Sequence, residues 1–212
     1  DGIINHIFSK IEVSKKFLEI CFHYSECNSL NLIRNGWNGT LIDSDNEICD
    51  KMRLYTKHYF PKQKINVINQ FVNRFNLKQI VLDGDIDFLS MDIDGNDYWV
   101  LKELNLDKIK LVCCEYNPFF GNNVSVTIKY NENHYHKGDF YFGASLQAFT
   151  NLFKEKKFEL IAVDSSGTNA FFINKNNLSD FEVLDSKKSF KNSGACTYSR
   201  FIEINKKLKK RD

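Results

Sequence analysis

The chain has 212 residues, 42% of them hydrophobic and 26% charged, with a formal net charge of +2 at pH 7. That length suits one domain with a full core, and near-neutrality leaves no strong field aimed at a nucleic acid or a membrane surface. No apolar stretch is long enough to span a bilayer and no signal peptide is visible, so the expected compartment is cytoplasmic, although a start at Asp1 leaves room for a removed leader.

The six cysteines (Cys21, Cys27, Cys49, Cys113, Cys114 and Cys196) make no C-x-x-C pair, and they read as small hydrophobes of a reducing compartment. In chain order, Ile3, Ile4, Ile7, Phe8 and Ile11 recur at helical spacing and predict an opening amphipathic helix. Phe17 to Phe22 is an apolar strand interrupted by Glu19. Ser25 is positioned to cap a helix through Asn35, with Leu30 and Ile33 inward and Gly36 ending it. Gly39 to Asp43 is a short strand closing on an acid. Ser44 or Asp45 caps the next helix, whose inner face carries Ile48, Met52 and Tyr55, and Pro61 marks the loop beyond.

Ile65 to Val72 is expected as a third strand, followed by a short helix around Arg74 to Ile80. The stretch Ile86 to Ile93 is a buried strand that turns acidic and breaks at Gly95, with Asn96 or Asp97 capping a helix over Tyr98 to Leu104. Lys110 to Glu115 is a fifth strand, again ending in an acid. Residues 116–141 have no period and are rich in Asn, aromatics and His, as a substrate loop would be. Leu146, Phe149, Leu152 and Phe153 restore a helix, and Phe158 to Val163 with Asn169 to Ile173 form an antiparallel hairpin. From Asn174 onward the chain is polar and ends in the basic run Lys206 to Arg211, read as a solvated tail or as an anchor for an acidic partner.

Alternation of β and α, repeated about five times, forces a parallel sheet with right-handed crossovers, into which the final hairpin places one antiparallel strand. The expected organisation is a single domain over 1–212, with its core at about 15–175. In open α/β sheets ligands bind outside the carboxyl ends of the strands, which draws attention to Asp92 and Asp94. The plainer alternative makes Asp94-Gly95-Asn96 a capping turn only.

This order, with its antiparallel ending, resembles the Rossmann-like fold of S-adenosylmethionine-dependent methyltransferases. Phe17-Leu18-Glu19 resembles their first strand with its acid, and Gly36 to Asp43 resembles the second strand, whose terminal acid grips the cofactor ribose. Leu89 to Asp97 resembles the fourth-strand motif of FkbM-like methyltransferases. Tyr141 to Leu146, followed by Asp164 to Phe172, looks like the closing segment of a bacterial branch associated with surface-polysaccharide biosynthesis. The resemblance implies a seven-stranded-type, mostly parallel sheet with helices on both faces. It also implies S-adenosylmethionine as cofactor, held by Glu19, Cys21, His23, Asp43, Asp45, Phe71 and Asp92. One departure stands out. The first loop, Cys21-Phe22-His23-Tyr24-Ser25, has no glycine, with Cys21 in the place of the first.

For the transfer itself two chemistries stay open. A Mg2+ or Mn2+ ion held by Asp92 or Asp94 with Glu115 and Asn117 would lower the pKa of an acceptor hydroxyl, as in the catechol-type enzymes this set loosely resembles. Alternatively His134 or His136, in the loop before Phe140, acts as general base, and Asp92 and Asp94 are the further catalytic candidates. The expected function is O-methylation of a small molecule, a sugar or a phosphoramidate intermediate of capsule assembly, by a chain that binds no nucleic acid and whose apolar lid can pair it as a homodimer. A methyltransferase fold retained as a non-catalytic binding protein is the alternative. A nicotinamide-dependent oxidoreductase lacks its G-x-G-x-x-G fingerprint here.

Overall fold

The computed structural model describes residues 2–25, 27–77 and 85–192. The expected helix beyond Leu77, the basic C-terminal run and Cys196 lie outside those residues. The strands are β1 (Lys16–Ile20), β2 (Asn38–Asp43), β3 (Ile65–Asn69), β4 (Ile86–Met91), β5 (Ile109–Glu115), β6 (Phe158–Val163) and β7 (Asn169–Asn174). They run in the sheet order β3-β2-β1-β4-β5-β7-β6. The pairs β1–β2, β1–β4 and β2–β3 are parallel, and β6–β7 is antiparallel. The expected α/β architecture is the one observed.

The chain gathers into two compact units. One comprises the residues up to Ile93 together with Glu103–Cys113; the other comprises Asp94–Lys102 and the described residues from Cys114 onward.

In the first unit, β4 is buried along its whole length and β1 is buried from its second residue, and their mainly apolar sequences enclose three buried polar residues, Glu19, Asp87 and Ser90. α1 (Gly2–Phe8) puts Ile4 and Ile7 inside and leans the Phe8 ring on Trp37 at 4.7 Å. α2 is only Leu30–Arg34, with Ser29 at its N-cap position in place of the expected Ser25, and it buries Leu32 and Ile33. α3 (Asn46–Tyr59) starts where expected, with Asp45 accepting from the Glu47 and Ile48 amides, but its inner face is Cys49, Met52 and Thr56. Ile48 and Tyr55 are only half-buried. Thr56 satisfies its hydroxyl on the Met52 carbonyl at 2.8 Å. β3 ends at Asn69, three residues before the expected Val72.

One buried charge pins this unit. Asp87 is fully buried at the start of β4; it accepts from Ser14 Oγ (2.9 Å) and the Lys16 amide (3.1 Å), and Lys110 Nζ lies 2.8 Å from its other oxygen.

The second unit holds the start of α4 (Asp97–Glu103), then α5 (Leu146–Glu155), the β6–β7 hairpin and α6 (Ser186–Ser189). Ser145 caps α5 by accepting from the Ala148 amide. Phe153 of α5 stacks on Phe172 of β7 with ring centroids 4.2 Å apart. Residues 116–145 have little regular structure but are extensively tied. Thr127 bridges Ala144, the Ile128 amide donates to the Gly143 carbonyl, and the Tyr116 amide donates to the Thr168 carbonyl. No helix among the described residues is long and apolar enough to cross a membrane.

Asp87→Ala is expected to cost about 2 kcal/mol of stability, since it strands the Ser14 hydroxyl, the Lys16 amide and part of the Lys110 charge. Urea denaturation monitored by circular dichroism measures it.

Candidate functional site

In the first unit the carboxyl ends of β1 and β2 carry Glu19 and Asp43. Glu19 is 2% exposed, and its carboxylate accepts from the Asn28 amide (2.8 Å), the Ser29 amide (2.7 Å) and Cys27 Sγ (3.1 Å). A buried carboxylate needs such donors, and the turn that leads into α2 supplies them. Burial pushes the Glu19 carboxyl above its ordinary value of 4.5, against the lowering pull of those hydrogen bonds. Burial, then the Glu19 charge, push the Cys27 thiol well above its ordinary range, so it stays a donor. Asn28 in turn donates from Nδ2 to Ser90 Oγ on β4 at 3.0 Å. None of Cys27, Asn28 or Ser90 was expected from the sequence; the one available signal was the buried acid itself, which demanded a partner.

The glycine-free turn keeps a glycine-like backbone. Cys21 sits at φ 60, in the left-handed region, with its amide donating to the Ile42 carbonyl at 2.8 Å. Phe22 then donates its amide to Asp43 Oδ2 (3.2 Å), while Asp43 Oδ1 accepts from the Asp45 amide (2.7 Å). A carboxylate offers about four acceptor positions. Each Asp43 oxygen is therefore left with capacity for one more donor, which is the pattern two vicinal hydroxyls require. His23 is folded back on its own loop, with Nδ1 2.6 Å from Ser25 Oγ and its ring 4.2 Å from that of Tyr24. Asp45 is a helix cap, Phe71 is 51% exposed beyond β3, and the Asp92 amide donates to the Ile20 carbonyl at 3.2 Å.

In the second unit Asp94, itself at φ 52, has Oδ1 3.7 Å from His136 Nδ1. A carboxylate oxygen of Glu115, the last residue of β5, lies within 4.8 Å of one from Asp94. The other nitrogen of His136, Nε2, is 2.8 Å from the Asp139 carbonyl. A carbonyl only accepts, so Nε2 carries a proton, and Nδ1 is turned to the Asp94 side. His134 lies against Gly95, where a Cβ would collide with its ring, and its Nε2 is buried with no hydrogen-bond partner among the described residues. Asn117 is fully buried and spends its amide on the loop, donating to the Phe140 and Phe142 carbonyls and accepting from the Phe119 amide. That gives Asn117 a clamping task where the sequence suggested a metal ligand.

Residues 23–160 match the family described as the Methyltransferase FkbM domain. No protein of curated function matches the chain in sequence. Among solved structures, an S-adenosylmethionine-dependent methyltransferase from Clostridium acetobutylicum ATCC 824 is 10% identical with a TM-score of 0.53, over 81% of this chain and 89% of that one. The N-terminal domain of EvdMO1, crystallised in the presence of SAH and D-fucose, is 11% identical with a TM-score of 0.55, over 82% and 81%. Magnesium protoporphyrin IX methyltransferase from Synechocystis PCC 6803, with bound SAM, is 8% identical with a TM-score of 0.53, over 82% and 77%. At such identities the likeness is one of fold.

Cys21→Gly is expected to stabilise the chain by about 1 kcal/mol, relief of left-handed strain outweighing the entropy gained by the unfolded chain; thermal unfolding checks it. Glu19 sets a pH dependence. Its carboxyl holds a proton more tightly folded than unfolded, so stability falls as pH rises from about 4.5 through the raised folded value. Unfolding free energies compared across that range should show a shallower decline in Glu19→Gln than in the parent chain.

Proposed function

The chain belongs to the FkbM methyltransferase domain family, and from that premise we propose that it transfers the methyl group of S-adenosylmethionine to an acceptor hydroxyl. Asp43 takes the two ribose hydroxyls on its spare acceptor positions. Glu19 holds the loop behind the methionine end, and Cys21, His23, Asp45, Phe71 and Asp92 complete the cofactor contacts. The carbon–sulfur bond breaks as the carbon–oxygen bond forms, the sulfur keeps the electron pair, and S-adenosylhomocysteine leaves. The hydroxyl proton goes to His136 Nδ1.

The observation that carries this assignment is the His136 ring. With Nε2–H tied to the Asp139 carbonyl, Nδ1 is the free base, and Asp94 at 3.7 Å stabilises the imidazolium that proton transfer creates. His134 stands beside it on Gly95. Tyr135 lies between the two histidines and is 81% exposed, which suits stacking on a sugar ring. We take a sugar or another small hydroxyl compound as the acceptor, with a surface-glycan intermediate or its phosphoramidate decoration as the narrower choice, handled in the cytoplasm. The fold neighbour crystallised with D-fucose supports a sugar in this reading.

A second reading is favoured by the proximity of Asp94 and Glu115. Their oxygens, within 4.8 Å, suit a hard divalent cation such as Mg2+ or Mn2+, which would lower the pKa of the acceptor hydroxyl.

Calorimetric titration with S-adenosylhomocysteine is the first test, and Asp43→Ala should weaken binding by about 10- to 100-fold. An absence of binding to the parent chain sinks the enzyme and leaves a binding protein on a methyltransferase fold. With labelled S-adenosylmethionine and a panel of sugars, His136→Asn should lower kcat by about 100-fold and chelation should change nothing. Activity abolished by chelation and insensitive to His136→Asn would move the chemistry to the cation.

A further inference from the structure

We infer that Asn96 is a positioning residue, which sets the segment bearing His134 and His136 against Asp94 and Gly95. The inference rests on reading His136 as the base. Asn96 occupies the position before α4, where an Asn side chain commonly caps its own helix. Here the carboxamide reaches outward and is 4% exposed. Its Nδ2 donates to the Asn131 carbonyl at 2.8 Å, and its Oδ1 accepts from the Asn131 amide at 3.4 Å. A side-chain amide has one donor face and one acceptor face, so it pairs with a single residue's backbone as a neighbouring strand would.

The rest of the linkage follows from Asn131. Its carbonyl also accepts from the His134 amide at 2.9 Å, and its Oδ1 accepts from the Asn133 amide at 3.0 Å. The turn so formed delivers the His134 ring onto Gly95, where only a glycine leaves room. Two residues further on, His136 reaches Asp94 on one side and the Asp139 carbonyl on the other. Further ties from the same short stretch hold the flanks, with Trp99 Nε1 donating to the Ile128 carbonyl (2.9 Å) and the Gly143 amide donating to the Gly95 carbonyl (3.0 Å). Of these, the Asn96 pair engages the residue nearest to the histidines in sequence, Asn131. Losing it strips Asn131 of a donor and an acceptor at once and frees the turn that orients both rings.

The test needs neither cofactor nor acceptor. Ring 15N signals of His136 report its tautomer, and limited proteolysis reports opening of residues 128–137. The parent chain should show His136 in the Nε2–H form. In Asn96→Ala the ring should average between tautomers, and cleavage within 128–137 should accelerate by about tenfold or more. An unchanged tautomer and cleavage rate overturns the inference, even if the unfolding midpoint falls, because a merely structural role moves only the latter. If Asn96→Ala does not fold, Asn96→Asp is read in the same way, since it keeps an acceptor for the Asn131 amide but sets a carboxylate against the Asn131 carbonyl. A parent ring without the Nε2–H form removes the His136 reading on its own, before any variant is made, and the cleavage rates then decide for or against the clamp.

Discussion

Taking a carboxylate out of water at the end of a buried strand is tolerable only if donors meet it, and at Glu19 they come from the three residues just before α2. That requirement shapes the chain from Cys21 to Ser29. The strand must turn at once, which it does with Cys21 in the left-handed region, and it must return in time to present the Asn28 and Ser29 amides. The excursion between those points carries the Phe22 amide to Asp43 and leaves His23 and Tyr24 packed on one another. The Asp43 carboxylate is thus held between the Phe22 amide of this loop and the Asp45 amide that follows it. Glycines are one way to make such a turn; a buried acid that tethers the far side of the loop is another.

The second unit solves a different problem by the same rule. Residues 116–145 have little regular structure, so side chains add to the scattered backbone pairs that the segment makes. Asn96, Trp99 and Asn117 each reach a loop carbonyl, and Ser145 accepts from the Val126 amide while donating to the Val124 carbonyl. Tyr116, fully buried, hydrogen-bonds the Lys191 carbonyl through a phenol that burial pushes to about 12. The aromatic group Phe119, Phe140 and Phe142 then packs beneath. A segment held in this way presents its histidines in fixed places and needs no strand or helix to do so.

Much of this was legible in advance. Strands buried on both faces read as apolar runs; an acid inside the first singled out Glu19, and acids at or just past the ends of later ones singled out Asp43, Asp92, Asp94 and Glu115 as candidates. The near misses have a common physical origin. The inner face of α3 is Cys49, Met52 and Thr56, and hydrophobic periodicity does not pick out a cysteine and a threonine as inward-facing. α2 began at Leu30 because Ser29 and its neighbours were drawn to Glu19, a long-range demand on a local boundary. Asn117 stands just past the end of β5, and its Nδ2 donates to carbonyls 23 and 25 residues away, a tie that no local pattern signals.

The sequence by itself determined the β-α alternation, the antiparallel ending and the family, since these follow from hydrophobic period and from contiguous motifs. Tertiary structure alone decided what each polar side chain is spent on. A carboxylate or carboxamide can bind a ligand, cap a helix or clamp a distant backbone with the same atoms. Which of these occurs depends on the donors and acceptors that folding brings within about 3 Å, and for Glu19, Asn96 and Asn117 those came from other parts of the chain.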